Sequence, residues 1–184
     1  MDELGRQIIH MIFGALLLFI ANFAGRDATI ILLCISLVLG LILVQLKTEG
    51  YENRFVDFML KSFDRPEKIP ARGGLAFLVG TLFLFAAVDF AFAMGILAIL
   101  AFGDGFATIV GMAGTRKIPF NQKKTFEGLG AFILAGVASS MFFLGSQTAV
   151  FYSVFLGIIE SIDLKADDNL LIPFSAVLLK TLLK

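Results

Sequence analysis

The sequence predicts an all-α, polytopic integral membrane helix bundle of about seven spans, and three observations predict it. Mean hydropathy is +0.91. Of the 184 residues, 58% are hydrophobic and only 16% are charged, a balance foreign to ordinary soluble domains. Apolar runs recur along the chain, several near the length of about 20 residues that crosses a bilayer core.

These runs lie at 8–24, 28–46, 75–88, 90–110, 129–145 and 148–162, with a shorter one at 170–183. The first lacks a small-residue cleavage site, so it is expected to be a retained span rather than a signal peptide. Asp89 interrupts one long apolar stretch and predicts a tight turn between two spans; a single long tilted helix is the competing arrangement. The last run either crosses or re-enters the membrane. Segment 47–74 carries Phe55, Phe58, Met59, Ser62 and Phe63 at helical spacing with charges between them. It reads as an amphipathic connector lying at the cytoplasmic interface, with a guide for a lipid as its sharper role. No repeat, low-complexity tract or long linker divides the chain, so residues 1–184 are expected to form one domain.

Basic residues set the orientation. Loop 47–74 holds Lys47, Arg54, Lys61, Arg65, Lys68 and Arg72, and loop 111–126 holds Arg116, Lys117, Lys123 and Lys124. With seven spans, both loops share a side with Arg6 and Lys165, against Arg26, Lys180 and Lys184 opposite. That bias places the amino terminus and the basic loops in the cytoplasm.

Composition also excludes classes. A formal net charge of zero argues against a nucleic-acid partner, whose binding rests on excess Lys and Arg. The single cysteine, Cys34, excludes an intrachain disulfide and a cysteine-based zinc site, and reads as a small apolar filler.

Polar residues gather in three clusters. Glu3, Arg6 and His10 share one helix face, which Gly14 continues toward a neighbouring helix. Interfacial anchoring accounts for the first two, and His10 is either a structural group or a direct participant. In the second cluster Asp104 sits within the 90–110 run. A charge near the bilayer centre costs about 2.5–3.5 kcal/mol even on a mild scale, so it requires a partner, a metal or a water-filled cavity. Gly103, Gly105, Gly111 and Gly114 flank it, and Arg72, Gly73, Gly74, Lys117, Lys123 and Lys124 supply charge and exposed backbone. Glycines permit positive φ and close approach to a phosphate. The amides from Thr125 to Glu127 could add a helix dipole. No Walker A loop occurs. Packing glycines and topology-setting lysines are the plain alternative, which leaves Asp104 and Glu127 unexplained. The third cluster is Glu160, Asp163, Asp167, Asp168 and Asn169. Asp168 or Asn169 could simply cap a helix. Carboxylates converging with phosphate-binding lysines are also what magnesium chemistry requires.

Three motifs in order carry a resemblance. Glu3-x-x-Arg6-x-x-x-His10 opens the chain, Gly103-Asp104-x-x-Ala107-x-x-x-Gly111 with Lys124-Thr125-x-Glu127-Gly128 forms its centre, and Glu160 with Asp167-Asp168-Asn169-Leu170-x-Ile172-Pro173 closes it. Together they resemble the polyprenol kinases, a family that includes dolichol kinase, phytol kinase and the CTP-dependent diacylglycerol kinase of fungi. Gln7 departs from the lysine usual there. The resemblance implies phosphate transfer from a nucleoside triphosphate, commonly CTP, to the hydroxyl of a membrane isoprenoid alcohol, with Mg2+. On that expectation Asp104, Glu160 and Asp168 hold magnesium. Lys123 and Lys124 with the glycine loop from Gly111 to Gly114 cradle the triphosphate, helped by Arg72, Gly73, Gly74, Lys117, Thr125 and Asn169. Glu127 and Asn169 orient a ligand or water, and a carboxylate or His10 takes the hydroxyl proton, which makes Asp104, His10 and Glu127 the catalytic candidates. The active site would face the cytoplasm, and a homo-oligomer is compatible with the sequence. A CTP-dependent cytidylyltransferase making a CDP-lipid is the second reading. A small membrane transporter lined by Asp104, Glu160 and Asp163 is the third.

Overall fold

A computed structural model describes residues 3–51, 71–162, 164 and 166–183. The amphipathic stretch expected around 55–63, together with Asp163 and Lys165, lies outside the described residues. The described chain is nearly all helical. Its elements are α1 (Glu3–Thr48), α2 (Arg72–Ala87), α3 (Phe90–Ala98), a π-helical turn (Ile99–Asp104), α4 (Gly105–Ala113), strands β1 (Lys117–Ile118) and β2 (Asn121–Thr125), α5 (Phe126–Leu144), α6 (Ser146–Ser161) and α7 (Asp168–Leu182).

Three helical stretches among the described residues are long and apolar enough to cross a membrane: Glu3–Thr48, Phe90–Ala113 and Phe126–Leu144. Arg72–Ala87 is a shorter apolar helix. The helices follow the apolar runs, but the expectation of about seven spans is met only in part.

The long first helix is not straight. Gly25 adopts φ 78° and ψ 178°, a conformation that breaks the helix and that a side chain would resist. A straight helix would separate Arg6 and Leu43 by about 55 Å, yet both border one cavity. The chain therefore reverses at Gly25 into a first arm before it and a second arm after it, matching the two predicted runs. Arg26 fixes the apex: its Nε donates to the Phe85 carbonyl at 2.9 Å and its Nη2 to the Ala86 carbonyl at 3.0 Å. It thereby satisfies carbonyls left open at the end of α2.

Asp89 does divide two helices. Its carboxylate accepts from the Phe92 amide at 3.0 Å as the N-cap of α3, which excludes the single tilted helix. The stretch from α3 through α4 is predominantly apolar and mostly buried, and it forms the centre of the bundle. Phe92 through Ala101 are all buried, and α1, α5, α6 and α7 surround them. Small residues permit this packing, as in helix associations within lipid. Gly14 meets Ala101 across the first arm, and a side-chain carbon at Gly128 would lie 2.8 Å from the Ala107 carbonyl oxygen.

The basic loop differs from an all-α expectation. Residues 117–125 form an antiparallel hairpin pairing Lys117 with Thr125 and Ile118 with Asn121. Ile118, Asn121 and Thr125 are buried while Lys117, Gln122 and Lys123 are exposed, and the pairing carries a register irregularity between Lys117 and Ile118. Asn121 donates to the Ser161 carbonyl at 3.0 Å and ties the hairpin to the end of α6.

Candidate active site

Asp104 ends the π-helical turn, where backbone bonds reach back five residues instead of four and one extra residue is accommodated. Such turns frequently mark functional sites. The turn places the Asp104 carboxylate, 8% exposed, beside side chains from two distant elements. Glu160, 2% exposed, comes from the last turn of α6, and Asp168 from the first residue of α7. One carboxylate oxygen from each of the three lies within 4.8 Å of the other two.

Lys124 completes the cluster. Projecting from β2, its Nζ donates to Glu160 and, at 3.3 Å, to Asp168. Burial disfavours the ammonium, but the charges of Glu160, Asp168 and Asp104 outweigh that and hold its pKa above the ordinary lysine value. Three carboxylates against one ammonium leave the cluster negative. An all-oxygen donor set suits a hard cation such as magnesium rather than zinc. Magnesium at about 2.0–2.1 Å from its ligands holds oxygens up to about 4.2 Å apart, so small side-chain rotations bring these three to one ion. The residues fit a metal ion.

A cavity of about 690 Å³ opens from this cluster. Its polar end is formed by Asp104, Asp168, Asn169, Arg72, His10 and Gln7. Its remaining walls are apolar and come from both arms of α1 and from α2, among them Leu17, Leu33, Leu39 and Phe77. Asn169 Nδ2 donates to the Gly73 carbonyl at 3.3 Å, which joins α7 to the start of α2. The His10 ring meets Phe77 edge-on at 5.2 Å, and its Nε2 is a buried atom without a hydrogen-bond partner among the described residues. Such an atom carries a cost of about 1–3 kcal/mol.

The structure thus gathers Asp104, Glu160, Asp168 and Lys124 into one cluster and brings Arg72, Gly73, Gly74, Asn169 and His10 to the same cavity. Other expected residues lie elsewhere. Glu127 pairs with Arg116 Nε at 3.1 Å and accepts from the Arg116 amide at 3.3 Å, so it latches the loop before the hairpin. Thr125 caps α5, its hydroxyl accepting from the Gly128 amide at 3.1 Å. Lys117 and Lys123 are exposed on the hairpin. Gly103, Gly105, Gly111 and Gly114 do not use positive φ, which among the described glycines occurs only at Gly25, Gly50 and Gly145. They permit close packing instead: a side-chain carbon at Gly114 would lie 2.6 Å from the Thr125 hydroxyl. The cap of α7 is neither Asp168 nor Asn169 but Asp167, which accepts from the Asn169 amide at 3.0 Å. The sequence singled out Gln7 only as a departure from the family pattern and gave it no role, yet it is buried, donates to Glu3 at 3.2 Å and borders the cavity. A buried amide inside an apolar helix was the available signal.

The chain aligns end to end with a protein of Methanocaldococcus jannaschii described only as uncharacterised: 33% identity over 178 residues, spanning 95% of this chain and 90% of that protein. The chain belongs to that protein's family. A probable chloroplastic phytol kinase of Triticum aestivum is 30% identical over 165 residues, covering 86% of this chain. The chain spans about half of that relative, 52% of its length. No family model matches the chain, and no solved structure matches it.

Proposed function

We propose that the protein is an integral membrane kinase. It transfers the γ-phosphoryl group of a nucleoside triphosphate, CTP in the first instance, to the hydroxyl of an isoprenoid alcohol at the cytoplasmic face. The observation that carries this reading is the two-part cavity. Carboxylates and cations at one end adjoin an apolar channel between helices, the shape required by a molecule with one reactive polar end and a hydrocarbon tail.

Magnesium bound by Asp104, Glu160 and Asp168 would neutralise charge on the phosphates, which phosphoryl transfer needs more than covalent help. Lys124 and Arg72 add positive charge at the same end. The hydroxyl oxygen forms the new bond to the γ-phosphorus as the bond to the β-bridging oxygen breaks, and the nucleoside diphosphate leaves. The hydroxyl proton is held at Asp104 or His10, both of which border the cavity. Apolar walls from the two arms of α1 exclude water, so the alcohol rather than water meets the phosphorus.

The test is transfer by purified protein in detergent, with γ-labelled CTP and ATP offered to geranylgeraniol, phytol, longer polyprenols and diacylglycerol. Label on an isoprenoid alcohol is the expected result. Pyrophosphate release with a CDP-lipid as product would replace kinase by cytidylyltransferase, and no nucleotide turnover with any alcohol would remove the reading.

A further inference from the structure

Four residues that line the cavity are also open to the outside of the bundle. Phe13 and Leu16 on the first arm of α1 are 42% and 50% exposed, and Leu39 and Ile42 on the second are 55% and 50% exposed. Toward the apex at Gly25, Leu17 and Leu33 line the same cavity but are buried at 9% and 1% exposure. The cavity wall is thus buried at Leu17 and Leu33 and accessible at Phe13, Leu16, Leu39 and Ile42. A gap between the arms at these four apolar residues would reach the cavity from the side.

We infer that this gap is a lateral portal through which a bilayer-resident alcohol enters, its tail remaining between the two arms of α1 while its hydroxyl reaches the carboxylate cluster. The inference rests on the kinase reading for the identity of the occupant. Its location rests on the helix faces. Arg6, His10, Phe13, Leu17 and Ile20 recur every three or four residues and all border the cavity, so one helix face grades from charged to apolar. Arg6 and Phe13 are seven residues apart, roughly 10 Å along the axis, so an alcohol lying against this face has its head at the cluster and its chain at the portal. Entry from water would expose the whole tail, at a cost proportional to the apolar area wetted. Entry between the arms keeps the tail in hydrocarbon throughout.

The test is photolabelling in lipid nanodiscs with geranylgeraniol carrying a diazirine at its tail, read by mass spectrometry of the labelled peptides without any nucleotide. Label is expected on the inner stripe and rim of α1, and the double variant Leu16→Trp, Leu39→Trp is expected to slow labelling roughly tenfold, within the one to three decades of variation usual for association at one site. Leu134→Trp, on the 74% exposed outer surface of α5, serves as the control and should leave labelling unchanged. Label confined to the outer surfaces of α5 and α6 in the unaltered protein would overturn the portal, whether or not the double variant folds. Cavity labelling without phosphoryl transfer would support the portal and remove the kinase reading.

Discussion

Lys124 donates a hydrogen bond to Glu160, 36 residues further along the chain, and the pair places an ammonium among the carboxylates that could hold a metal. A metal ion held there would draw on the same oxygens as the lysine. Removing the ammonium without adding charge should leave the carboxylates to the metal alone. Lys124→Met is expected to bind Mn2+ more tightly in the absence of nucleotide, by roughly tenfold. Its phosphoryl transfer should fall, because a cation beside the phosphates is lost. Electron paramagnetic resonance of free Mn2+ measures the first and a kinetic assay the second. Unchanged or weaker Mn2+ binding would show that the ion and Lys124 do not share ligands.

Asp104→Asn tests the carboxylate contributed by the π-helical turn. Loss of a metal-holding carboxylate should cost orders of magnitude in transfer. The thermal midpoint should hold or rise, since a buried charge is seldom a net stabiliser. Near-normal turnover in well-folded protein would exclude Asp104 from the reaction.

Adjacent aspartates at the start of α7 should separate into two phenotypes. Asp167 caps the helix, so Asp167→Ala is expected to cost about 1 kcal/mol of stability. Asp168 meets Lys124 instead, at 3.3 Å, so Asp168→Ala should lose activity and weaken the magnesium dependence at an almost unchanged melting temperature. Thermal melts beside a magnesium titration distinguish them, and equal melting losses in both variants would contradict the assignment.

The helical part of the fold was legible because its cause is local. Apolar runs bounded by Asp89, Gly145 and the 163–168 acids mark the helices, and their ends agree within a few residues. Asp104 stood out because a carboxylate inside an apolar helix is costly enough to require a purpose, whereas its grouping with Glu160 and Asp168 came from the order of the motifs that resemble the polyprenol kinases. The roles of neighbouring residues were not legible, since they depend on contacts between distant segments. Glu127, expected to orient a ligand or water, is engaged by Arg116, which folds back onto it. The hairpin was hidden because its buried positions, Asn121 and Thr125, are polar and lack the apolar alternation that announces a strand. The π-helical turn leaves no compositional trace at all.

At the end of the bundle opposite the carboxylates, Asp89 offers a pH test. Burial alone would raise its pKa, but the Lys180 ammonium and the Phe92 amide together hold it below the ordinary aspartate value. A depressed carboxyl stabilises the fold above its unfolded pKa of about 3.9, and that contribution is lost as pH falls through the folded value. The melting temperature of Asp89→Ala should therefore lie below that of the unaltered protein at neutral pH, by the equivalent of about 1 kcal/mol for a lost cap. The two should converge as pH drops below about 4. A gap that persists in acid would assign the loss to packing rather than to charge.

The π-helical turn from Ile99 to Asp104 makes residue count a chemical constraint. Each residue in an α-helix advances the side chains by about 100°, so one residue more or fewer between Ala98 and Asp104 would rotate the carboxylate away from Glu160 and Asp168 while leaving every amino acid type in place. Sequence identity alone is then an incomplete criterion for kinship of function. A relative that preserves the aspartate but has lost one residue upstream would keep the membrane helix and forfeit the site. Conversely, a single inserted codon in an inert apolar helix is a short route by which an acid already present could be turned inward to meet a metal.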